Sequence, residues 1–383
     1  MALKPTSIQA SARRAGMWAF FLSGICAISS SVIISLLQQQ RGLDYGTAGT
    51  LLSVMSIGNL IAGFLTGLLP MRIGTRRTVL LLTSGYCIGY SLMILPSAEI
   101  SLLFLSWAFV GLAKGCAINT CTLMVGNNSA DRTKGMNIMS SFYACGALLC
   151  PMLADFAGKL SSFAAYLLLA AAGGLMWLIF ALSPLEKANS SDNADKTNWD
   201  FLKSPLFWLL TGLIFCQNAA ETGVTGWLVT YFKDTGILSA AFSPYTVSVL
   251  WGATMIGRLF LAFVCPPKNT KRAMVIMTIC CCIFYLGLIM ANGQLSAVTL
   301  LLGFSLAIAG MNPMAIACAG KMTSAASMGV MLPLASLGAI LMPSIIGFVA
   351  QNASLHTGMA MNLIPCIGMV VLSVILTLKK GAD

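Results

Sequence analysis

Long apolar stretches separated by short polar loops run through most of the chain. A helix needs about 20 predominantly apolar residues to cross a bilayer. The segments that meet this rule are residues 15–37, 48–69, 78–95, 101–124, 137–158, 162–183, 205–231, 244–265, 273–291, 295–318, 326–350 and 357–378. The pattern therefore predicts an all-α integral membrane protein with twelve transmembrane helices.

A polar stretch over residues 184–204 divides these segments into two sets of six. We therefore predict an N-terminal six-helix half over residues 1–183, a cytoplasmic linker over 184–204 and a C-terminal six-helix half over 205–383. The first apolar segment follows a short basic region and lacks a small-residue cleavage site, so we expect a retained helix and not a signal peptide.

Composition supports the membrane class and excludes others. Hydrophobic residues make up 58% of the chain and charged residues 9%, which is too few charges to cover a soluble surface. The net charge of +11 comes from small basic groups between apolar segments, which argues against nucleic-acid binding. The 13 cysteines show no Cys-x-x-Cys pair and no metal-ligand spacing, so no metal or other cofactor is expected.

The distribution of Lys and Arg in short loops sets the membrane orientation. Of the 22 basic residues, 17 fall on the side that holds the N-terminus. The opposite side has Arg41, Lys159 and Lys233, and Lys114 and Arg258 lie within helices. Both termini and the linker are therefore predicted to be cytoplasmic, in a bacterial inner membrane.

The two halves resemble each other in sequence. Gly146-Ala-Leu-Leu-Cys-Pro151 in the fifth segment recurs as Gly338-Ala-Ile-Leu-Met-Pro343 in the eleventh, 192 residues later. Similar offsets relate Gly58 to Gly257 and Arg76-Arg77 to Lys271-Arg272. Six helices per half give both halves the same topology, which predicts parallel repeats with a solute site near the bilayer midplane at their interface.

The loop after the second segment carries the strongest local motif. Gly67-Leu-Leu-Pro-Met-Arg72-Ile-Gly74-Thr-Arg76-Arg77 resembles the G-x-x-x-D-R-x-G-R-R signature of the major facilitator superfamily, with Met71 in place of the usual aspartate. The resemblance implies gating or helix-pairing roles for Arg72, Arg76 and Arg77. Anchoring of this loop to anionic lipid is the alternative.

Within that superfamily, two further segments resemble the fucose–proton symporter branch and its relatives. One runs from Gln217-Asn218-Ala-Ala-Glu221 to Trp227 and Tyr231, and the other is Trp251-Gly-Ala-Thr-Met-Ile-Gly257-Arg258. This resemblance implies proton-coupled uptake of a small polar solute such as a sugar, polyol or sugar acid.

Glu221 is the leading candidate for proton coupling, because ionisable groups within membrane helices are costly and usually functional. Gln217 and Asn218 precede it by four and three residues, so the three form one polar helix face. The alternative is a structural ion pair between Glu221 and Lys114 or Arg258. For Arg258 we also consider gating or helix pairing, and extension of the guanidinium toward the interface.

Lys114 is expected to bind an anionic group of the solute or to neutralise Glu221. It lies within Gly111-x-x-x-Gly115, which predicts close helix packing, as do the motifs Gly63–Gly67 and Gly85–Gly89. Amide, hydroxyl and aromatic side chains suit a sugar site. Besides Gln217 and Asn218, the substrate-binding candidates of this kind are Asn59, Asn119, Tyr143, Trp227, Trp251 and Asn312, with helix packing as the alternative for the aromatic residues.

Secondary active uptake by alternating access is therefore the predicted function, with a monomer expected in the lipid bilayer. Export of amphipathic compounds or metabolites on the same fold is the alternative. An enzyme is not expected, because the chain has no Gly-x-Ser-x-Gly elbow, no His-Glu-x-x-His motif and no phosphate-binding loop.

Overall fold

A computed structural model describes residues 7–95, 99–129, 132–161, 163–185, 200–265, 267, 269–319 and 325–378. Regular structure in these residues is helical, and they contain no β-strand. Most of the predicted linker, residues 186–199, lies outside the described residues, as do the two chain ends.

The described residues form sixteen α-helices. They are α1 (Ser7–Ile28), α2 (Ser30–Arg41), α3 (Tyr45–Leu68), α4 (Pro70–Ile73), α5 (Thr75–Met93), α6 (Ile100–Asn127), α7 (Arg132–Leu160), α8 (Ala164–Leu182), α9 (Pro205–Thr235), α10 (Thr246–Leu259), α11 (Thr270–Met290), α12 (Gln294–Ile308), α13 (Met311–Ala319), α14 (Ala325–Asn352), α15 (Leu355–Ala360) and α16 (Leu363–Leu378). Short 3-10 helices occupy Asp200–Lys203 and Ser243–Tyr245, and a π-helix follows α10 at Phe260–Val264.

Each predicted segment coincides with one long helix or with two helices that meet at a break. The first segment is broken beside Ser29, the tenth at Ala309 and Gly310, and the last at Met361 and Asn362. Eight helical stretches of the described residues are long and apolar enough to cross a membrane. The full set of twelve spans therefore stays a prediction.

The polar residues of α5 and α9 explain why these two predicted spans are not among the eight. Helix α5 has only 19 residues, and Arg76 and Arg77 lie in its first turn. Helix α9 carries Gln217, Asn218 and Glu221 at its centre. These side chains lower the mean hydropathy without shortening the helix.

The chain folds into two compact units. The first unit comprises residues 1–33 and 54–190, and the second comprises residues 34–53 and 191–383. Residues 34–53, which are the end of α2 and the start of α3, thus group with the second unit. The division into two six-helix halves stays a prediction.

Repeated glycines bring helices close together in the same way in each unit. In the first unit, a Cβ on Gly146 of α7 would collide with the carbonyl oxygen of Phe21 on α1. In the second, a Cβ on Gly338 of α14 would collide with the carbonyl oxygen of Phe215 on α9. Phe215 follows Phe21 by 194 residues, so the repeated sequence motif makes an equivalent helix contact in each unit.

Two of the three small-residue motifs pack as predicted, and one does not. Gly111–Gly115 of α6 lies against backbone carbonyls of α3, and Gly85–Gly89 of α5 lies against carbonyls of α6. At Gly67 no described atom lies within 4 Å of the position that a Cβ would occupy, and at Gly63 the nearest is Nδ2 of Asn119 at 4.0 Å. The packing prediction for Gly63–Gly67 is therefore wrong, because this side of α3 faces open space.

Candidate functional site

Gln217 and Glu221 form a hydrogen-bonded pair on α9. Gln217 is 1% exposed and donates from Nε2 to Oε2 of the half-buried Glu221. Its Oε1 is buried and has no hydrogen-bond partner among the described residues. An amide offers both a donor and an acceptor. A rotated Gln217 amide would therefore accept a hydrogen bond from protonated Glu221. Gln217 can thus hydrogen-bond to Glu221 in either protonation state of the carboxyl group.

Two amide side chains bond α9 to other segments just before Glu221. Asn218 donates from Nδ2 to the carbonyl oxygen of Ala335 on α14, at 3.1 Å. Asn362, at the break between α15 and α16, is fully buried and donates to the carbonyl oxygen of Ala220, also at 3.1 Å. Sequence reasoning did not select Asn362, although an amide within the last apolar segment was a signal for it.

The predicted aromatic ligands are buried to different extents. Trp227 is fully buried, and its Nε1 donates to the carbonyl oxygen of Pro343 on α14 at 3.1 Å. Trp251 of α10 is also buried. In the first unit, Tyr143 is half-buried and its ring centroid lies 4.7 Å from that of Phe20. Trp227 therefore packs within the second unit, separated along α9 from the Gln217–Glu221 pair.

Arg258 and Asn312 lie near the break in the tenth predicted span. Arg258 donates from Nε to the carbonyl oxygen of Ala309 at 3.2 Å, which joins α10 to the end of α12. Asn312, in the first turn of α13, has a buried Oδ1 without a hydrogen-bond partner among the described residues. The guanidinium group of Arg258 thus donates to a backbone carbonyl oxygen that the helix break leaves available.

The basic loop of the first unit is anchored by one of its three arginines. Gly74 separates α4 from α5 with φ of 86°, a conformation that favours glycine. Arg76 donates from Nη2 to the carbonyl oxygen of Ala181 near the end of α8. Arg72 and Arg77 are exposed. Lys114 lies deeper in this unit, half-buried on α6 between Gly111 and Gly115.

A cavity of about 530 Å³ lies in the first unit beside this loop. Asn119 lines it and donates from Nδ2 to Oγ1 of Thr66 at 2.8 Å, joining α6 to α3. The cavity is lined by Gly63, Thr66, Gly67, Pro70, Thr75, Thr78, Val79, Asn119, Thr120, Thr122, Leu123, Met124, Asn127, Asn128, Pro184 and Leu185.

A polar cluster forms where residues 34–53 pack in the second unit. Its members are Ser35, Gln38, Tyr45, Thr230, Lys233 and Asp234. Lys233 donates from Nζ to Oγ of Ser35 at 2.9 Å, and Thr230 donates to Oε1 of Gln38 at 3.0 Å. The Tyr45 hydroxyl donates to Asp234. Sequence reasoning used Lys233 for topology and missed this cluster, because its partners lie about 190 residues apart.

Asp44 fixes the start of α3 next to the polar cluster. The backbone N–H of Thr47 donates to Oδ1 of Asp44 at 2.8 Å, which is the usual arrangement of a helix N-cap. This hydrogen bond is the main reason that the pKa of Asp44 lies below its ordinary value. The charged carboxylate therefore stabilises the first turn of α3 at neutral pH.

Known proteins match this chain over most of its length. A family model of the Major Facilitator Superfamily matches residues 16–335. An uncharacterised MFS-type transporter of Yersinia pestis is 23% identical over 370 residues, with 93% of this chain and 92% of that protein covered. The class E tetracycline resistance protein of Escherichia coli is 26% identical over 192 residues, or 47% of each chain.

Structural similarity agrees with the sequence match. The crystal structure of a D-xylose–proton symporter has a TM-score of 0.75 at 12% identity, with 97% of each chain covered, which shows a shared fold. Together with the long apolar helices, these matches identify a multi-pass membrane transporter and not an enzyme. The chain belongs to the Major Facilitator Superfamily.

Proposed function

We propose that this transporter is a proton-coupled importer of a small polar solute, of the fucose–proton symporter branch. It works in a bacterial inner membrane as two parallel six-helix halves with cytoplasmic termini. The solute is a sugar, a polyol or a sugar acid. The protein functions as a monomer.

The Gln217–Glu221 pair is the observation that carries this proposal. A carboxylate in an apolar helix is costly unless it is hydrogen-bonded or can become neutral. Gln217 supplies the hydrogen bond, and its Oε1, which has no hydrogen-bond partner among the described residues, can accept one from the protonated form. Glu221 therefore binds a proton with the solute site open to one side and releases it to the other.

Substrate contacts are assigned to the polar residues of each half. In the second unit these are Gln217, Asn218 and Asn312, with Trp227 and Trp251 as packing supports. In the first unit they are Lys114, Asn119 and Tyr143. Amide groups bind sugar hydroxyls by donating and accepting hydrogen bonds.

Alternating access gives the polar cluster a role as a gate. Residues 34–53 continue directly into helices of the first unit but make their contacts in the second. Rocking of two halves about a central site, as in this transporter class, requires such contacts to form and break. The hydrogen bonds of the cluster are exposed or partly buried. They suit this role because each contributes only about 0.5–1.5 kcal/mol.

Proton coupling is tested with Glu221→Gln in proteoliposomes. The variant keeps the size and polarity of the side chain but cannot exchange a proton at neutral pH. We expect accumulation driven by a pH gradient to be lost while solute exchange between the two sides continues. Glu99→Gln is the matched control, because Glu99 is exposed at the N-cap of α6, and it should leave both activities unchanged.

Loss of both accumulation and exchange in Glu221→Gln would instead assign Glu221 to binding or structure. Retention of gradient-driven accumulation would reject proton coupling through this residue. The solute is identified beforehand by the alkalinisation that proton symport causes outside weakly buffered cells.

Export is the second candidate function. The relationship to a tetracycline resistance protein favours it, although that match spans under half of each chain. The two functions differ in ligand profile: uptake predicts a narrow set of hydrophilic solutes, and export predicts a broad set of amphipathic ones. Resistance of expressing cells to such compounds, without solute-induced alkalinisation, would decide for export.

A further inference from the structure

The cavity of the first unit has the size of a small-molecule site. Its volume of about 530 Å³ falls within the range of roughly 300–1,000 Å³ that is usual for ligand pockets. The walls come from the ends of α3 and α6, Pro70 of α4, the start of α5, and Pro184 and Leu185 after α8. Residues of five different parts of the first unit thus line one space.

The lining of this cavity is rich in hydrogen-bonding groups and carries no charge. Half of its sixteen lining residues have a hydroxyl or amide side chain, and none is acidic or basic. These polar residues are Thr66, Thr75, Thr78, Asn119, Thr120, Thr122, Asn127 and Asn128. Glycine, proline and apolar side chains form the rest of the wall. The mixture suits a neutral ligand with several hydroxyl groups.

Gly63 and Gly67 keep the cavity open. The other two glycine motifs of the first unit bring backbones together, whereas this pair lines the cavity and meets no close neighbour among the described residues. Any larger side chain at Gly67 would extend into this space. The absence of side chains on this face of α3 therefore creates volume and does not serve helix packing.

The hydrogen bonds at the cavity wall leave specific groups available to a ligand. Thr66 donates from Oγ1 to the carbonyl oxygen of Ala62 at 2.8 Å and accepts from Asn119. Asn119 is thereby oriented, and its Oδ1 accepts no hydrogen bond from the described residues. An oriented acceptor thus belongs to the wall of this cavity.

We propose that this cavity is a binding site for a neutral hydroxylated solute, such as a sugar, polyol or nucleoside. The proposal rests on the proposed function and narrows its solute class by excluding sugar acids. The site lies at the end of the first unit that holds the α4–α5 loop, which is the predicted cytoplasmic side.

The nearby arginines do not convert this cavity into an anion site. Arg76 is bonded to the carbonyl oxygen of Ala181, and Arg72 and Arg77 are exposed. None of the three lines the cavity. The lining therefore favours a neutral ligand over an anion. The experiment compares neutral and anionic probes to distinguish the two.

Site-specific thiol protection tests the proposal on the full-length protein. Thr122→Cys places a small thiol in the cavity wall, and peptide mass spectrometry follows its reaction with a maleimide. The neutral probes are D-xylose, D-glucose, xylitol and uridine, and the anionic probes are D-gluconate and D-glucuronate. We expect at least one neutral probe to slow the reaction about tenfold at roughly ten times its dissociation constant, since protection follows 1 + [L]/Kd.

Two internal controls separate cavity binding from general effects. The native Cys265 is exposed in the second unit and should react at an unchanged rate. Adding Gly67→Leu to Thr122→Cys should abolish the protection, because the leucine side chain projects into the cavity and competes with the ligand for space. Gly158→Leu is the matched addition, because Gly158 of α7 also has no described atom close to its missing side chain and does not line the cavity.

Protection by the anionic probes, by no probe, or equally in the Gly67→Leu background would overturn the proposal. Failure of the proposed function gives a different result. In that case gradient-driven uptake is absent in the wild type, while protection of the thiol at position 122 by a neutral probe persists and Gly67→Leu removes it.

Discussion

The hydroxyl of Tyr45, at the start of α3, donates a hydrogen bond to the carboxylate of Asp234, near the end of α9. These residues lie 189 positions apart in sequence, yet both belong to the second unit. The aromatic ring of Tyr45 also lies beside that of Trp227, with 6.0 Å between the ring centroids. Tyr45 therefore joins the polar cluster to the packed core of its unit.

Removal of this hydrogen bond should lower the free energy of unfolding, and the effects of replacing its two partners should not be additive. We expect Tyr45→Phe and Asp234→Asn each to lower the free energy of unfolding by about 1 kcal/mol, because the bond is charge-assisted but partly exposed. The double variant should lose less than the sum of the two. Denaturant or thermal unfolding in detergent measures this cycle. Strictly additive losses would show that the two side chains do not interact in solution.

Gly49 should tolerate no side chain, unlike Gly67 of the same helix. A Cβ on Gly49 would lie 2.6 Å from the carbonyl oxygen of Pro343 and 3.1 Å from Cα of Gly347. We expect Gly49→Ala to lower the unfolding free energy by about 1–3 kcal/mol through overpacking of α3 against α14.

Gly67→Ala is the matched control for that change. Since no described atom lies close to the missing side chain, the better helix propensity of alanine should raise stability by up to about 1 kcal/mol. Thermal unfolding in detergent compares the two variants. Equal effects at the two positions would contradict the close contact of α3 with α14.

Arg258 should stabilise the break between α12 and α13. Arg258→Met leaves the carbonyl oxygen of Ala309 without its donor, which should cost about 1–3 kcal/mol of unfolding free energy. Arg258→Lys should recover part of this loss. In Arg14→Met, which removes a bond from an exposed arginine to its own helix, the change should stay within about 0.5 kcal/mol. Similar losses of unfolding free energy in both Met variants would show that the effect at Arg258 comes from removing a positive charge and not from removing this hydrogen bond.

The length of the apolar stretches predicted the helices well because membrane-length apolar segments leave few alternatives. The predicted segment 101–124 corresponds to α6 at Ile100–Asn127, and 273–291 corresponds to α11 at Thr270–Met290. The break at Asn362 was not predictable in this way. Its stability comes from the contact of that amide with Ala220, 142 residues away, while the local composition remains apolar.

The candidate site was predictable where it depends on helical spacing. Gln217 and Glu221 are four residues apart on one helix, and they form the expected neighbouring pair. The polar cluster and the cavity depend on which helices meet, so the sequence alone did not indicate them. The motif Gly63–Gly67 shows the limit most clearly, because small residues at this spacing can allow either close packing or an open cavity.

The position of Trp227 gives this transporter an intrinsic optical reporter. Its indole is sealed from solvent, bonded to Pro343 and flanked by Tyr45 and Gly49. Indole emission shifts to longer wavelength when the ring enters a more polar environment. Replacing the other tryptophans of the chain with phenylalanine isolates the emission of Trp227. Its spectrum therefore reports whether residues 34–53 pack beside Trp227, without any added dye.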